Sequence, residues 1–359
     1  MWSSCSAQRS VWMFVLLGAT SLLLVCMQAR MALQISGLKI RLSQSGPADR
    51  ISAAARPDEA TTVQPATTSD LPQTSQTLPD APGGDAEKLQ EWELESRRHL
   101  IRSVCTKLGY PDVPVLRHHV SRVFVENRYK LLYCEVPKAG CSNWKRVLMV
   151  LGGSAASARL IPHDEVHYGN HLQQLDSYPR DAITNKLRSY TKVLFVREPF
   201  QRLVSAFRDK FENPNPYYHS VFGRAIISRY RANATQAARS SGDGVTFREF
   251  VQYLLDLRRP AWMDSHWQPV AHLCNPCLLK YDFIGKFERL EEEANLLLRD
   301  IGAPATLTFP HLKDRDPLAA RTSAAITHSY LNKLNATERQ KLYELYYLDY
   351  LMFNYTKPF

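Results

Sequence analysis

Hydrophobic and polar positions divide the chain into stretches of very different character. Val11 to Met27 reads VWMFVLLGATSLLLVCM, an uncharged apolar run close to the roughly 20 residues that a membrane-spanning helix needs. From Ser43 to Gly84 the composition turns to Ser, Thr, Pro, Ala and Gln with few large apolar side chains. Such a segment cannot bury a core and is expected to be a disordered stem or linker. The folded domain is expected to begin near Leu89, because Glu87 to Thr106 has helical periodicity with mixed charge. In YKLLYCEVP, residues Leu131 to Cys134 and Val136 form a short apolar run closed by Pro137, the pattern of a buried strand. Trp144, Val147, Leu148 and Leu151 then recur at helical spacing, and Gly152-Gly153 stops that helix. The unit repeats: Lys192 to Val196 predicts a strand, followed by a helix beginning around Phe200 with Leu203, Phe207 and Phe211 on one face. Strands alternating with helices predict an α/β fold around a parallel central sheet flanked by helices. Ligands of such sheets bind beyond the carboxyl ends of the strands, where both strand-to-helix loops fall.

Composition adds direction. The 359 residues carry a formal net charge of +10, which favours anionic partners such as phosphates, acidic glycans or membrane surfaces. Nucleic acid is not an expected partner, because no recognisable nucleic-acid-binding module is present. Arg9 precedes the apolar run and Arg30, Lys39 and Arg41 follow it, so local charge does not orient an anchor, and a cleaved signal peptide competes with that reading. Sequons at Asn233, Asn335 and Asn354 favour the secretory pathway. Cysteines stand at 5, 26, 105, 134, 141, 274 and 277. The five beyond the apolar run are odd in number, so one stays free or pairs between chains. Cys274-Asn-Pro-Cys277 lacks a second CxxC or a His pair to complete a zinc site. A structural disulfide to one or both of these cysteines is expected, with the pairing left open.

The candidate chemistry lies in the two loops. In PKAGCSNWK, Pro137 fixes the strand exit, and Ala139, Gly140 and Ser142 are small enough for backbone N–H groups to approach an anion. Ser142 and Asn143 suit the N-cap of a helix whose positive dipole end faces the ligand, and Lys138 supplies a charge from the front of the loop. A Walker loop would carry a Ser/Thr to hold Mg²⁺, and none stands here, so no metal is expected. In the second loop Arg197 leaves its strand at the same end of the sheet, followed by Arg202 and Ser205. Arginine offers a bidentate hold on phosphate, and serine a neutral donor. Arg208, Asp209 and Lys210 read as a solvated face.

Together these motifs resemble a known family. PKAGCSNWK at 137–145 is similar to the 5′-phosphosulfate-binding loop of the Golgi carbohydrate sulfotransferases, and LFVREPFQRLVSAFRDKF at 194–211 to their 3′-phosphate-binding motif. YDFIGKFERLEEEAN at 281–295 and YYLDYLMFNY at 346–355 also fit, so the resemblance covers roughly Cys105 to the end of the sequence. It points to the subgroup of HNK-1, chondroitin/dermatan 4-O- and N-acetylgalactosamine-4-O-sulfotransferases. SAFRDKFENPNPYYHSVFGRAI and LDYLMFNYTKPF most resemble the N-acetylgalactosamine-4-O branch. The resemblance implies a P-loop-like sulfotransferase fold and 3′-phosphoadenosine 5′-phosphosulfate as donor. Pro137, Lys138, Ala139, Gly140, Cys141, Ser142 and Asn143 would surround the 5′-phosphosulfate. Arg197, Glu198, Pro199, Phe200, Gln201, Arg202, Leu203, Val204 and Ser205 would form the second motif, with Arg197 and Ser205 on the 3′-phosphate. It further implies a type II Golgi membrane protein: a cytosolic tail at 1–10, a signal anchor at 11–27, a luminal stem at 28–88 and a luminal catalytic domain at 89–359.

Sulfuryl transfer needs a group to take the proton of the sugar hydroxyl. Between the loops lie His163, Asp164, Glu165, His167 and His171. His167 is the expected base, since the family carries a histidine at about this place, with His266 in MDSHWQP as the alternative. The expected acceptor is a glycan containing N-acetylgalactosamine, on a glycoprotein or a glycosaminoglycan; chondroitin, dermatan and HNK-1-type acceptors are alternatives. Two other classes compete. A phosphate-loop kinase or hydrolase would need a Mg²⁺-holding Ser/Thr and a Walker-type acidic strand end, which the sequence does not offer. A membrane-anchored glycan-binding protein without catalysis would keep the fold and lose donor binding.

Overall fold

A computed structural model describes residues 86–311 and 320–359. The expected tail and anchor lie outside these residues, as does the stem apart from 86–88, which open the first helix. That helix, α1 (Ala86–Lys107), matches the periodic stretch and puts Ile101 and Val104 into the core. Strands β1 (Val123–Glu126) and β2 (Leu131–Cys134) follow, and the first loop leads into α2 (Cys141–Leu151). Next come α3 (His163–Tyr168), β3 (Gln173–Gln174), β4 (Thr191–Val196) and α4 (Pro199–Phe207). Further along stand α5 (Phe247–Leu255), α6 (Val270–Cys274), β5 (Phe283–Lys286) and α7 (Leu290–Asp300).

The strands form one sheet in the order β3-β1-β2-β4-β5. β2, β4 and β5 are parallel, with Tyr133 opposite Val193 and Val193 opposite Phe283. The expectation of a parallel sheet therefore holds for the central strands and fails at one side. β1 pairs antiparallel with β2 and with β3, so the sheet is mixed. The reason is local: only four residues separate β1 from β2, room for a hairpin but not for the crossover that parallel pairing demands.

Side chains alternate across this sheet, and both faces are covered. Leu131, Tyr133, Val193, Phe195 and Phe283 meet Trp144, Val147 and Leu148 of α2 and Leu297 of α7 on one face. Leu132, Cys134, Leu194, Val196 and Ile284 meet α1 and α6 on the other. A second core lies beside the sheet, where Phe200, Leu203, Val204 and Phe207 of α4 pack with α5, Trp267, Tyr346 and Tyr350. α4 thus carries one strand-to-helix corner on its first turn and roots it in an aromatic cluster.

Two disulfides tie the end of α6 and the turn after it to β2 and to α1. Cys105 of α1 pairs with Cys277, and Cys134 at the end of β2 pairs with Cys274. Both members of the CxxC are thus structural, and Cys141 is the free thiol among the described residues. In the chain-entropy account, loops this long give about 5 kcal/mol per bridge. The three sequon asparagines are all exposed. Asn335 also caps the helix Ala336–Leu345, its Oδ1 accepting from the Glu338 N–H at 2.8 Å.

Candidate active site

The first corner is a turn made of backbone. The Ala139 N–H donates to the Val136 carbonyl at 3.2 Å, and Lys138 and Gly140 both sit in the left-handed region, at φ 69° and 87°. For a lysine that conformation is costly, and strain of this kind gathers at ligand sites. Gly140 has a second constraint: a Cβ there would lie 2.6 Å from Leu290 Cδ2, so α7 closes the back of the turn. Gly140, not Ser142 or Asn143, is the N-cap, and α2 begins at Cys141. The tight turn spends fewer residues than a side-chain cap would. The first amides of α2 have no carbonyl one turn back and stay available to an anion, aligned with the helix dipole. The Asn143 side chain is used structurally: Nδ2 donates to the Pro310 carbonyl at 2.8 Å, and Oδ1 accepts from Arg146 at 3.2 Å.

Beneath this corner lies a buried ion cluster that the sequence did not signal. Glu135 pairs with Lys145 Nζ at 2.6 Å and with Arg122. Burial alone would raise the Glu135 carboxyl, but Arg122 and Lys145 outweigh it and hold the group below its ordinary value. An ionised carboxylate thus anchors the residue that leads into Val136-Pro137-Lys138.

The second corner exposes much less of itself. Arg197 is 5% exposed; its guanidinium donates to the Lys138 carbonyl at 3.2 Å and the Thr322 carbonyl at 2.6 Å and lies 4.2 Å from the Phe287 ring centre. Its Nε is buried without a hydrogen-bond partner. Burial lowers its pKa to about 10, which leaves it charged at neutral pH. The two corners are therefore in direct contact through Arg197 and Lys138.

Most of the second motif faces inward. Phe200, Leu203 and Val204 are core, and Pro199 is buried with them. Arg202 is fully buried and donates to the carbonyls of His266, at 3.2 Å, and Gln268. Glu198 accepts from the Gln201 N–H at 2.6 Å and from the Tyr350 hydroxyl. Glu198, Pro199, Phe200, Gln201, Arg202, Leu203 and Val204 are not on the cleft wall; Arg197 and Ser205 are. Ala139 of the first loop is likewise buried away from it. A helix presents one face at a time, so a contiguous motif cannot line a cleft throughout.

Beyond Ser205 the expectation of a solvated face fails. At Arg208 the helix widens, and the Asn213 N–H reaches back five residues to the Arg208 carbonyl. That wider turn shifts the register and brings Asp209 and Lys210 inward, at 9% and 7% exposure. Asp209 lies 3.3 Å from Lys138 Nζ and 3.0 Å from Lys210 Nζ. Arg208 donates to Thr322 Oγ1 at 2.9 Å. Burial lowers the Lys138 pKa, and Asp209 opposes that shift.

Imidazoles supply the remaining wall. His167 of α3 has Nε2 2.9 Å from Ser142 Oγ, and the His163 ring lies 4.5 Å from it, centre to centre. His266 reaches the same cleft with its Nδ1 2.7 Å from Asp264. His171 pairs instead with Glu165 at the surface, and neither lines the cleft. The cleft holds about 1000 Å³, and Pro137, Lys138, Gly140, Cys141, Ser142, Asn143, Arg197, Ser205, His163, His167 and His266 all border it. Asp209, Lys210, Asn215, Tyr217, Tyr218, Phe287, Glu288 and Thr322 also line it and escaped the sequence reading. For Asp209 and Lys210 the signal was present but misread. For Tyr217 and Tyr218 the Asn-Pro-Tyr-Tyr run was its only trace.

Comparison with known proteins agrees with this geometry. Residues 121–356 match the sulfotransferase family. Carbohydrate sulfotransferase 8 of Mus musculus is 58% identical over 267 residues, which span 74% of this chain and 64% of that protein. Carbohydrate sulfotransferase 9 of Homo sapiens is 57% identical over 76% of this chain and 62% of its own length. Carbohydrate sulfotransferase 11 of Rattus norvegicus is 43% identical over 67% and 68%. The match thus spans less than two thirds of the first two relatives. No solved structure matched. The chain belongs to the sulfotransferase family.

Proposed function

We propose that this chain transfers a sulfuryl group from 3′-phosphoadenosine 5′-phosphosulfate to a hydroxyl of a glycan, with C4 of N-acetylgalactosamine as the favoured position. The carrying observation is the contact between the two corners: Arg197 holds the Lys138 carbonyl at 3.2 Å, so two anion-binding elements open into one cleft. The donor carries phosphate at both ends of its ribose, and two linked anion sites suit it. The amides of α2 and Lys138 would stabilise charge as it develops on the departing phosphate. Arg197 and Ser205 would hold the 3′-phosphate. His167, beside Ser142 at the mouth of the first corner, would take the hydroxyl proton.

Charge favours a neutral acceptor sugar. The cleft sets Lys138, Arg197, Lys210, Arg289 and Arg321 against Asp209, Glu288, Glu291 and Glu292. A donor bearing several negative charges uses up that small excess and leaves none for a polyanion. N-acetylgalactosamine on an N-glycan meets this condition better than chondroitin or dermatan.

Two disulfides and three exposed sequons support an oxidising, glycosylating compartment. We read the chain accordingly as a type II Golgi membrane glycoprotein anchored by 11–27, with its catalytic domain in the lumen. Among the described residues no helix is long and apolar enough to cross a membrane.

Calorimetry should find tight binding of adenosine 3′,5′-bisphosphate without Mg²⁺; absence of binding would leave only a glycan-binding role. Radiolabelled sulfate transfer to neutral and acidic acceptors, with the product position mapped, tests the acceptor. His167→Ala should lose about 10²–10⁴-fold in kcat with bisphosphate affinity near wild type. If that variant keeps both its rate and its decline at acid pH, His167 is not the base.

A further inference from the structure

Of the two histidines considered as the base, the mechanism above leaves His266 unused, although its ring is fixed by two neighbours. Asp264 Oδ1 accepts from the His266 backbone N–H at 2.9 Å and lies 2.7 Å from His266 Nδ1. The Tyr218 hydroxyl is 2.9 Å from the same nitrogen and 3.4 Å from each Asp264 oxygen. Burial would raise the Asp264 carboxyl, but His266 outweighs it and holds the group below its ordinary value. An ionised carboxylate only accepts, so Nδ1 carries the proton and the Tyr218 hydroxyl donates to the carboxylate. Nε2 is then left with its lone pair. Among the described residues it has no hydrogen-bond partner, and His266 borders the cleft. Burial, reinforced by Lys210 and Lys138, lowers the His266 pKa against the pull of Asp264, so the ring is neutral at neutral pH.

A neutral imidazole with an outward lone pair accepts from O–H donors and gains nothing from a carboxylate or a sulfate. On the far side of Tyr218, whose ring packs against both, Tyr217 borders the cleft and is 54% exposed, an aromatic face of the size of a pyranose ring. Neither group serves the donor corners. We propose that His266, fixed by Asp264 and Tyr218, recognises the acceptor: its Nε2 accepts a hydrogen bond from a hydroxyl of the acceptor sugar other than the one sulfated, with Tyr217 covering that ring. This rests on the sulfotransferase reading. Arg202 is part of the device, since it holds the backbone carbonyl of His266 at 3.2 Å and so ties acceptor recognition to the second donor corner.

The test is a series of monodeoxy β-N-acetylgalactosaminides assayed with wild type, His266→Phe, His266→Gln and Asp264→Asn. Wild type should lose about 2- to 10-fold in kcat/KM with one deoxy acceptor, the effect of one neutral hydrogen bond. His266→Phe should raise the KM of the parent acceptor and abolish that deoxy penalty. His266→Gln, whose carbonyl can replace Nε2, should retain part of it. Asp264→Asn can donate to Nδ1, which would move the ring proton to Nε2; a hydroxyl also accepts, so the deoxy penalty would persist with the bond reversed, but a deoxyfluoro acceptor, which cannot donate, should be penalised in wild type and tolerated in Asp264→Asn even if His266→Phe does not fold. Bisphosphate binding should be unchanged throughout; failure of wild type to bind it would overturn the sulfotransferase reading instead. An equal deoxyfluoro penalty in wild type and Asp264→Asn overturns the proposal. So does a His266→Phe enzyme that loses turnover at unchanged acceptor KM together with the acidic limb, since His266 would then be the base.

Discussion

The two strand-to-helix corners look alike in sequence and work differently in space. The first, at Val136–Cys141, turns mostly backbone toward the cleft, with the Lys138 side chain beside it: two left-handed residues, a glycine pressed against Leu290, and the opening amides of α2. The second, at Arg197–Ser205, turns side chains toward it, and only those at its two ends. Its middle seven residues are scaffold that seats α4 in the aromatic core. A motif of uniform appearance can thus mix residues selected for contact with residues selected for packing.

The largest effect should come from the first corner. Lys138→Ala removes a charge placed where the leaving group departs, so kcat should fall by about 10²–10³-fold while bisphosphate affinity changes little. Lys138→Arg should not restore it fully, because a planar fork does not reproduce a compact ammonium. Comparable losses in kcat and in affinity would erase the distinction between the corners. Arg197→Ala should show the opposite balance: donor affinity about 10- to 100-fold weaker by calorimetry, with kcat less affected. Its bond to the Lys138 carbonyl means some loss of kcat must accompany this.

Arg202→Met probes the scaffold between the two contact residues. It strips the donors from two backbone carbonyls in a fully buried setting, so folding stability should fall by roughly 1.5–3 kcal/mol in denaturant titrations. The folded fraction should bind bisphosphate normally; if affinity falls instead, Arg202 belongs to the donor site. Smallest of all, Ser205→Ala should weaken bisphosphate binding by about 2- to 10-fold, the contribution of one neutral donor.

What the sequence revealed follows the same division. Short continuous apolar runs located β2 and β4, and periodic spacing located α1, α2 and α4, because those signals are local. The hairpin of β1 and β2 was missed: VFVE ends in a buried glutamate whose carboxylate accepts from the Arg128 and Tyr129 amides of the turn, a bond that polarity alone does not announce. Asp209 and Lys210 were read as solvent-facing, since a regular helix would put them there; the wider turn at Arg208 does not. The cleft wall draws on residues near 167, 217 and 266, separate segments that only the tertiary fold assembles. His167 and His266 could be singled out by residue type, but not the Asp264 and Tyr218 that fix the second of them.

The disulfides bear on how the chain is made. Cys134 must wait for Cys274, 140 residues later, so at ordinary rates of synthesis it stays unpaired for about 7–28 seconds after it emerges. During that interval two other thiols are within reach: Cys105, already made and itself waiting for Cys277, and Cys141, seven residues on, on the first loop. Either bond is a wrong one, and the second would cinch the loop onto the end of its own strand. Maturation of this chain is therefore a contest between early mispairing and late repair. An isomerase that reopens a Cys134–Cys141 bond would govern how much of each batch folds with the first loop in its native turn.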